Sequence, residues 1–266
     1  MGLIYALANQ KGGVGKTTTA INLGAYLAQK GQRVLLVDAD SQANATSSLG
    51  IDKNSLKGGT YEAILEISPA GDHILHNPRI KMSVLPASPA LAGAEIELVD
   101  QPEREKRLKK AIAPIRDHYD YVLIDCPPSL GLMTLNGLVA AADGVLIPVQ
   151  CEYLALEGLG QLTQTLERIR SVIVPNLQVR GVLLTMFDVR TNLSSDVVEE
   201  VRKYFPNQVF ESVIPRSIRL AEAPSYGLPI SIYDPRSSGA EAYQALAEEV
   251  LTKDQEKVLV PVEIYK

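Results

Sequence analysis

The sequence predicts an α/β domain built on a doubly wound, mostly parallel sheet with helices on both faces. Apolar runs of strand length alternate with helix-period segments almost from end to end. Several of these runs are rich in Val, Ile and Leu with no polar alternation, the pattern of strands buried on both faces. The 266-residue length suits one large domain with a well-buried core, and no linker, low-complexity tract or internal repeat divides it.

Strands are expected at Leu3 to Ala8, Arg33 to Val37, Met82 to Pro86, Tyr121 to Ile124, Gly144 to Val149, Val179 to Thr185 and Val209 to Ile214. Between the first two, Thr17 to Gln29 places Ala20, Leu23, Leu27 and Ala28 on one helical face, and Gly31 follows as a stop. Further helices are expected at Glu103 to Arg116, Leu154 to Val174, Ser194 to Tyr204 and Ser238 to Leu251, while Gly50 to Gly59 reads as loop. The domain is expected to cover residues 1–252, followed by a tail at 253–266 to which the sequence assigns no role.

With 46% hydrophobic and 21% charged residues the composition is that of a soluble globular protein. Neither a signal-peptide pattern nor an apolar run of membrane-spanning length occurs, so a cytoplasmic protein is expected. The two cysteines, Cys126 and Cys151, give no disulfide framework and read as small buried hydrophobes. His73 and His76 lack a third ligand nearby and read as surface loop residues. A net charge of −5 argues against nucleic-acid binding by bulk charge, so any such binding needs a local patch.

After the first strand, Gln10-Lys11-Gly12-Gly13-Val14-Gly15-Lys16-Thr17-Thr18 leads into the first helix. A glycine-rich turn lets backbone N–H groups converge on phosphate oxygens, backed by the positive end of a helix. Lys16 then neutralises β/γ-phosphate charge and the Thr17 hydroxyl ligates Mg²⁺, which makes residues 11–18 candidates for binding ATP. An ordinary phosphate loop has Gly where Gln10 stands, and this chain adds a second lysine, Lys11. A flexible cation beside developing phosphoryl charge supplies what an arginine finger supplies elsewhere.

The second strand ends Val37-Asp38-Ala39-Asp40, and such strand ends face the ligand crevice of an open α/β sheet. Phosphoryl transfer to water needs a group that orients the water and a shell that holds Mg²⁺, and of these two carboxylates Asp40 is the catalytic candidate while Asp38 reads as its structural partner. Asp125 ends another apolar strand and is followed by Cys126-Pro127-Pro128-Ser129. Its carboxylate is placed to hold Mg²⁺ or a bound water, and the two prolines fix a stiff turn suited to sensing a γ-phosphate.

The loop K-G-G-x-G-K-S/T resembles the deviant Walker A motif of ParA, MinD, nitrogenase iron protein and related P-loop NTPases. Segments around Gln150 to Tyr153, Leu184 to Leu193 and Ile214 to Pro224 extend the resemblance to chromosomal ParA (Soj) proteins, over about residues 3 to 250. The resemblance implies an ATP- and Mg²⁺-dependent ATPase that forms a homodimer on ATP binding, with Lys11, Lys16 and Asp40 catalytic. It further implies that Lys11 reaches the partner's ATP, that Asp40 positions the attacking water, and that Thr17, Asp40 and Asp125 surround the metal. By family position Glu152 contacts the partner's nucleotide and the Pro215 backbone borders the adenine.

The same resemblance implies non-specific binding of double-stranded DNA on the nucleoid, no membrane binding, and hydrolysis stimulated by a ParB-type centromere-binding protein. Candidate DNA contacts are Arg190, Lys203, Arg216 and Arg219, of which Arg216 and Arg219 stand three apart at the start of a short helix. A MinD-like membrane switch needs a basic amphipathic C-terminal helix, whereas the last residues here are neither basic nor helix-periodic and include Pro261. An iron–sulfur ATPase needs two cysteines per subunit at the dimer axis, and Cys126 has no such companion. An ATP-dependent amide-forming or carboxylating synthetase needs a substrate pocket that the sequence does not reveal.

Overall fold

The computed structural model describes residues 2–152, 155–175 and 177–259. Among them one sheet holds β1 (Leu3–Leu7), β2 (Val34–Asp38), β3 (Leu75–Asn77), β4 (Met82–Leu85), β5 (Tyr121–Asp125), β6 (Gly144–Gln150), β7 (Val179–Phe187) and β8 (Val209–Pro215). The order across it is β3-β4-β2-β5-β1-β6-β7-β8. Every neighbouring pair is parallel except β3 with β4. From the central β1 the chain moves to one side for β2 to β4, returns through β5, and lays β6 to β8 on the other side. The crevice at the strand C-termini therefore opens where the order reverses.

The helices are α1 (Lys16–Gln29), α2 (Asn44–Ser48), α3 (Thr60–Ile64), α4 (Leu91–Glu97), α5 (Arg107–Ile112), α6 (Leu132–Ala140), α7 (Ala155–Val172), α8 (Asn192–Tyr204), α9 (Ile218–Glu222), α10 (Ile230–Tyr233) and α11 (Ser238–Leu259). They cover both faces of the sheet. Successive residues of a strand point to opposite sides, so Ile4 and Ala6 of β1 enter one core with Leu35, Val37, Val122 and Ile124. Tyr5 and Leu7 enter the other with Leu36, Leu123 and the apolar faces of α1 and α11. Both sides of each central strand are buried, which is why these strands lack alternation.

Several elements depart from the expected ones. β3 is three residues long with Leu75 41% exposed, too short to carry a strand pattern, and it holds His76, which was expected in a loop. His76 Nδ1 meets Ser83 Oγ and His73 Nε2 meets Ser68 Oγ. α6 is apolar almost throughout and largely buried, so it shows no amphipathic period. The expected helix at Glu103 to Arg116 breaks into a 3-10 turn at Arg104–Lys106, then α5, then a 3-10 stretch at Ala113–His118 that opens on Pro114. Proline has no N–H with which to continue an α-helix. Both cysteines are buried as expected, and burial pushes their thiols up, Cys151 to about 11.

α11 continues to Leu259, eight residues past its expected end, and its last turns close the molecule; the tail from 260 onward lies outside the described residues. Asp254, 5% exposed, accepts hydrogen bonds from Tyr5 OH at 2.7 Å, Tyr121 OH at 2.9 Å and Arg180 Nη2 at 2.6 Å. Burial and the adjacent carboxylate push both phenols well above their usual range, so they remain donors. One turn earlier, Glu249 accepts from Glu211 N, Ser212 N and Ser212 Oγ, satisfying the free edge of β8. Removing one member of a buried, hydrogen-bonded ion pair strands the other, so Asp254→Ala is expected to cost about 3–5 kcal/mol in urea unfolding. A loss below about 1 kcal/mol would mean that apolar contacts alone hold α11.

Candidate nucleotide-binding site

The loop between β1 and α1 is fixed from several sides. Gly13 and Gly15 have φ of 76° and 90°, left-handed backbone that favours glycine. Asn9 Nδ2 donates to the Pro148 carbonyl at 2.7 Å while its Oδ1 accepts from Lys11 N at 3.0 Å. Thr185 Oγ1 of β7 donates to the Val14 carbonyl at 2.9 Å, and Gln10 Nε2 donates to Thr165 Oγ1 of α7 at 3.2 Å. Lys16 opens α1, is 6% exposed, and donates from Nζ to the Lys11 carbonyl at 3.1 Å. Burial lowers its pKa, and the nearby Asp125 and Asp40 oppose that shift.

Two carboxylates face this loop from adjacent strands, because Asp38 of β2 and Asp125 of β5 are register partners. Asp38 is saturated with donors: Thr46 N at 2.9 Å, Thr46 Oγ1 at 2.7 Å and Asp40 N at 3.2 Å. It ties α2 and the Asp40 turn to the sheet, and burial above all pushes its carboxyl up to about 6. Asp40, 7% exposed, is oriented by Gln42 N donating to its Oδ1 at 2.9 Å. Asp125 is served less well. Its Oδ2 accepts from Thr17 Oγ1 at 2.7 Å, while its Oδ1 is buried without a hydrogen-bond partner. Burial first, then the charge of Asp38, pushes this carboxyl up to about 8.

A buried carboxylate oxygen lacking a donor, beside a hydroxyl already turned toward the same carboxylate, is an oxygen donor set that fits Mg²⁺. Among the described residues no three His, Cys, Asp or Glu gather as a complete metal cage. That suits Mg²⁺, which keeps waters and shares phosphate oxygens.

Lys11 and Glu152 form an ion pair on the open side of the loop, each side chain about one-third exposed. Gly12 lacks a positive φ, and a Cβ on it would first meet Pro128 Cβ at 3.8 Å, so a side chain there meets no clash within the chain. Pro215 lines a cavity of about 260 Å³ with Gly15, Thr18, Thr185, Met186 and Tyr243. Arg216 lines it as well, so this candidate DNA contact is also a wall of the nucleotide crevice.

The other candidate DNA residues are paired within the chain. Arg190 binds Asp188 at 2.6 Å, Arg219 binds Glu222 at 2.9 Å and Asp234 at 3.4 Å, and Lys203 binds Glu200 at 2.7 Å. In each pair the cation is solvent-exposed, and such a pair competes weakly with a phosphate. Arg190 and Arg216 both act on Asp188, so they share one locality, whereas Lys203 sits at the far end of α8, about 17 Å along the helix. The structure therefore separates Lys203 from the arginines. Asn9, Thr46 and Thr185, which hold the loop and the Asp38 hub, were not among the expected site residues. Asn9 borders the phosphate-loop motif, while nothing local marks the two threonines.

A family model described as an AAA domain matches residues 2–179. The chain is 54% identical to the chromosome partitioning protein ParA of Myxococcus xanthus over 258 residues, 97% of this chain and 90% of that protein. It is 55% identical to the sporulation initiation inhibitor protein Soj of Bacillus subtilis over 250 residues, 94% of this chain and 98% of that one. The chain belongs to the ParA/Soj family of ATPases. A crystal structure of cobyrinic acid a,c-diamide synthase from Mycobacterium smegmatis with bound ADP and magnesium shares the fold. It has a TM-score of 0.85 and 39% identity, and the match covers 97% of each chain.

For this ParA/Soj ATPase the carboxyl pKa values set a pH dependence. Asp38 and Asp125 hold protons in the folded chain at pH values where the unfolded chain has lost them. Their contribution to stability is therefore full below pH 4 and is lost as pH rises through about 6 and about 8. The melting temperature of the nucleotide-free protein is expected to fall between pH 5.5 and 8.5, more shallowly for Asp125→Asn. Parallel curves for the two proteins would show that Asp125 ionises without penalty.

Proposed function

We propose that this ATPase is a DNA-segregation switch. ATP joins two copies in a nucleotide sandwich, the dimer binds duplex DNA without sequence preference, and a ParB-type partner stimulates hydrolysis. The observation that carries the reading is Lys11, a second lysine beside an already complete phosphate loop, one-third exposed on the open side of the site. A cation so placed serves a phosphate outside its own cradle better than one within it.

In this reading the backbone N–H groups of residues 13–17 and Lys16 grip the β- and γ-phosphates. Thr17 and Asp125 hold Mg²⁺, with Asp40 beside them. When bound, Mg²⁺ neutralises charge building on the phosphate oxygens. Asp40, held by Gln42 N, orients the attacking water. The Pro215 cavity receives the adenine end. Lys11 leaves Glu152 for the ATP of the second copy, which frees Glu152 to meet that copy's nucleotide. Gly12 lies where the two loops approach, which accounts for a glycine at a position whose own backbone does not require one.

DNA is met by Arg190, Arg216 and Arg219, and dimerisation doubles these contacts along one duplex, raising avidity. Arg216 links the two sites, because a nucleotide in the cavity fixes one of its walls. No described helix is long and apolar enough to cross a membrane. Identity to the partition proteins, at 54% and 55%, exceeds the 39% to the diamide synthase, which favours segregation over amide formation.

The test is co-sedimentation with arbitrary duplex DNA and, in parallel, with anionic liposomes. With ATP the protein is expected to pellet with DNA and not with liposomes, and the reverse pattern would replace this reading with a membrane switch. Arg219→Ala should flatten the log–log salt slope of DNA binding by about one unit while ATP affinity stays unchanged. Gly12→Val should bind ATP, remain a monomer and lose DNA. ATP-driven dimers of Gly12→Val would contradict the close approach of the loops.

A further inference from the structure

Away from the nucleotide, two large apolar side chains stand in solvent at one place. Ile96 near the end of α4 is 77% exposed and Val99 in the following turn is 51% exposed. They are three residues apart and joined by the Val99 N to Ile96 O hydrogen bond at 3.2 Å, so they share a side, while Leu91, Ala94 and Leu98 enter the core. Neighbouring exposed apolar groups of this size mark contact surfaces more often than isolated ones do. Around them stand Glu95, Glu97 and Asp100, all exposed and without an ion pair among the described residues. Glu97 accepts from Tyr61 OH at 2.8 Å, and Arg104 reaches the Val99 carbonyl.

This surface borders the turn that runs from Asp125 beside the phosphate loop to α6. Glu95 Oε1 accepts from Met133 N at 3.4 Å, at the start of α6, and a Cβ on Gly131 would come within 2.8 Å of it. Glu95 therefore rests on the end of the turn that begins at Asp125. Within that turn Pro127 and Pro128 restrict the backbone, and Thr134 Oγ1 donates to the Ser129 carbonyl at 2.6 Å. At its other end Pro128 is the first group that a Cβ on Gly12, next to Lys11, would meet, at 3.8 Å.

We infer that the α4 surface is the docking site of the stimulating partner, occupied by a cationic segment with apolar side chains that displaces Glu95 and so shifts the Pro127–Gly131 turn. The inference rests on the reading that a partner stimulates hydrolysis. Three carboxylates with no ion pair among the described residues, set around an apolar centre, favour Lys or Arg interleaved with aliphatic residues, and acidic segments are repelled. Glu95 acts as a positioning residue, since it touches the turn and not the nucleotide.

The experiment uses the full chain with ATP, DNA and the ParB-type protein of the same genome, following both partner affinity and turnover. The double variant Ile96→Ser/Asp100→Lys is expected to bind the partner about tenfold more weakly, with basal turnover unchanged. Glu95→Ala is expected to keep partner affinity within about threefold and to lose the partner's effect on kcat, a split that a general loss of structure does not produce. If the wild-type chain is not stimulated at all, the partner reading fails and the inference goes with it. If the wild type is stimulated and the double variant binds and responds equally, the docking surface lies elsewhere while the segregation reading stands. Normal stimulation of Glu95→Ala would overturn the proposed path to the turn.

Discussion

Asp38 and Asp125 face each other across one rung of the sheet, and the nucleotide end of the molecule is organised by the charge they bring there. Adjacent strands lie about 4.8 Å apart, so two buried carboxylates at matched positions repel strongly in a medium with little water. The fold treats them unequally. Asp38 receives three donors and becomes a structural anchor for α2 and the Asp40 turn. Asp125 receives one, and an oxygen is left with nothing to bind. Burial and the neighbouring Asp38 push this carboxyl up to about 8, so it gives up its proton reluctantly. A divalent cation beside that oxygen would offset the penalty, which is the role proposed for Mg²⁺ at Asp125.

The remaining features follow from having to bring phosphates to that cation. The loop from Asn9 to Gly15 is pinned by β6 and β7 so that its N–H groups stay aimed, and Lys16 is sunk among the carboxylates. Lys11 is the exception, since it remains outside and is balanced by Glu152 at the surface. Lys16 serves the phosphates of one nucleotide from within the loop while Lys11 stays outside it, and the proposed assembly with a second copy rests on that difference. The Asp125 to Gly131 turn carries the same logic outward, because it starts at Asp125, passes near Gly12 and ends beside Glu95 of α4.

Much of this was legible in the sequence where chemistry is compressed into consecutive residues. The phosphate loop announces itself because glycines, lysines and a threonine must sit at fixed spacing, and Asp38, Asp40 and Asp125 because strand ends meet the crevice. Long central strands were legible for the same reason, since burial on both faces leaves an unbroken apolar run. What stayed hidden depends on contacts between distant segments. Thr46 meets Asp38, and Thr185 meets Val14, through the tertiary fold alone. The small helices α2 to α4 complete too few turns to show a period, and α6 is too buried to show one. The length of α11 is set by Asp254 finding Tyr5, Tyr121 and Arg180, partners more than seventy residues away in the chain.

The central claim is that Asp125 is kept largely protonated until a cation arrives. Calorimetric titration of the protein with Mg²⁺ and a non-hydrolysable ATP analogue at pH 7.5, in buffers of different ionisation enthalpy, counts the protons released on binding. The account predicts net proton release by the wild type, beyond that of the free nucleotide, that disappears in Asp125→Asn. Equal proton release by the two proteins would contradict it.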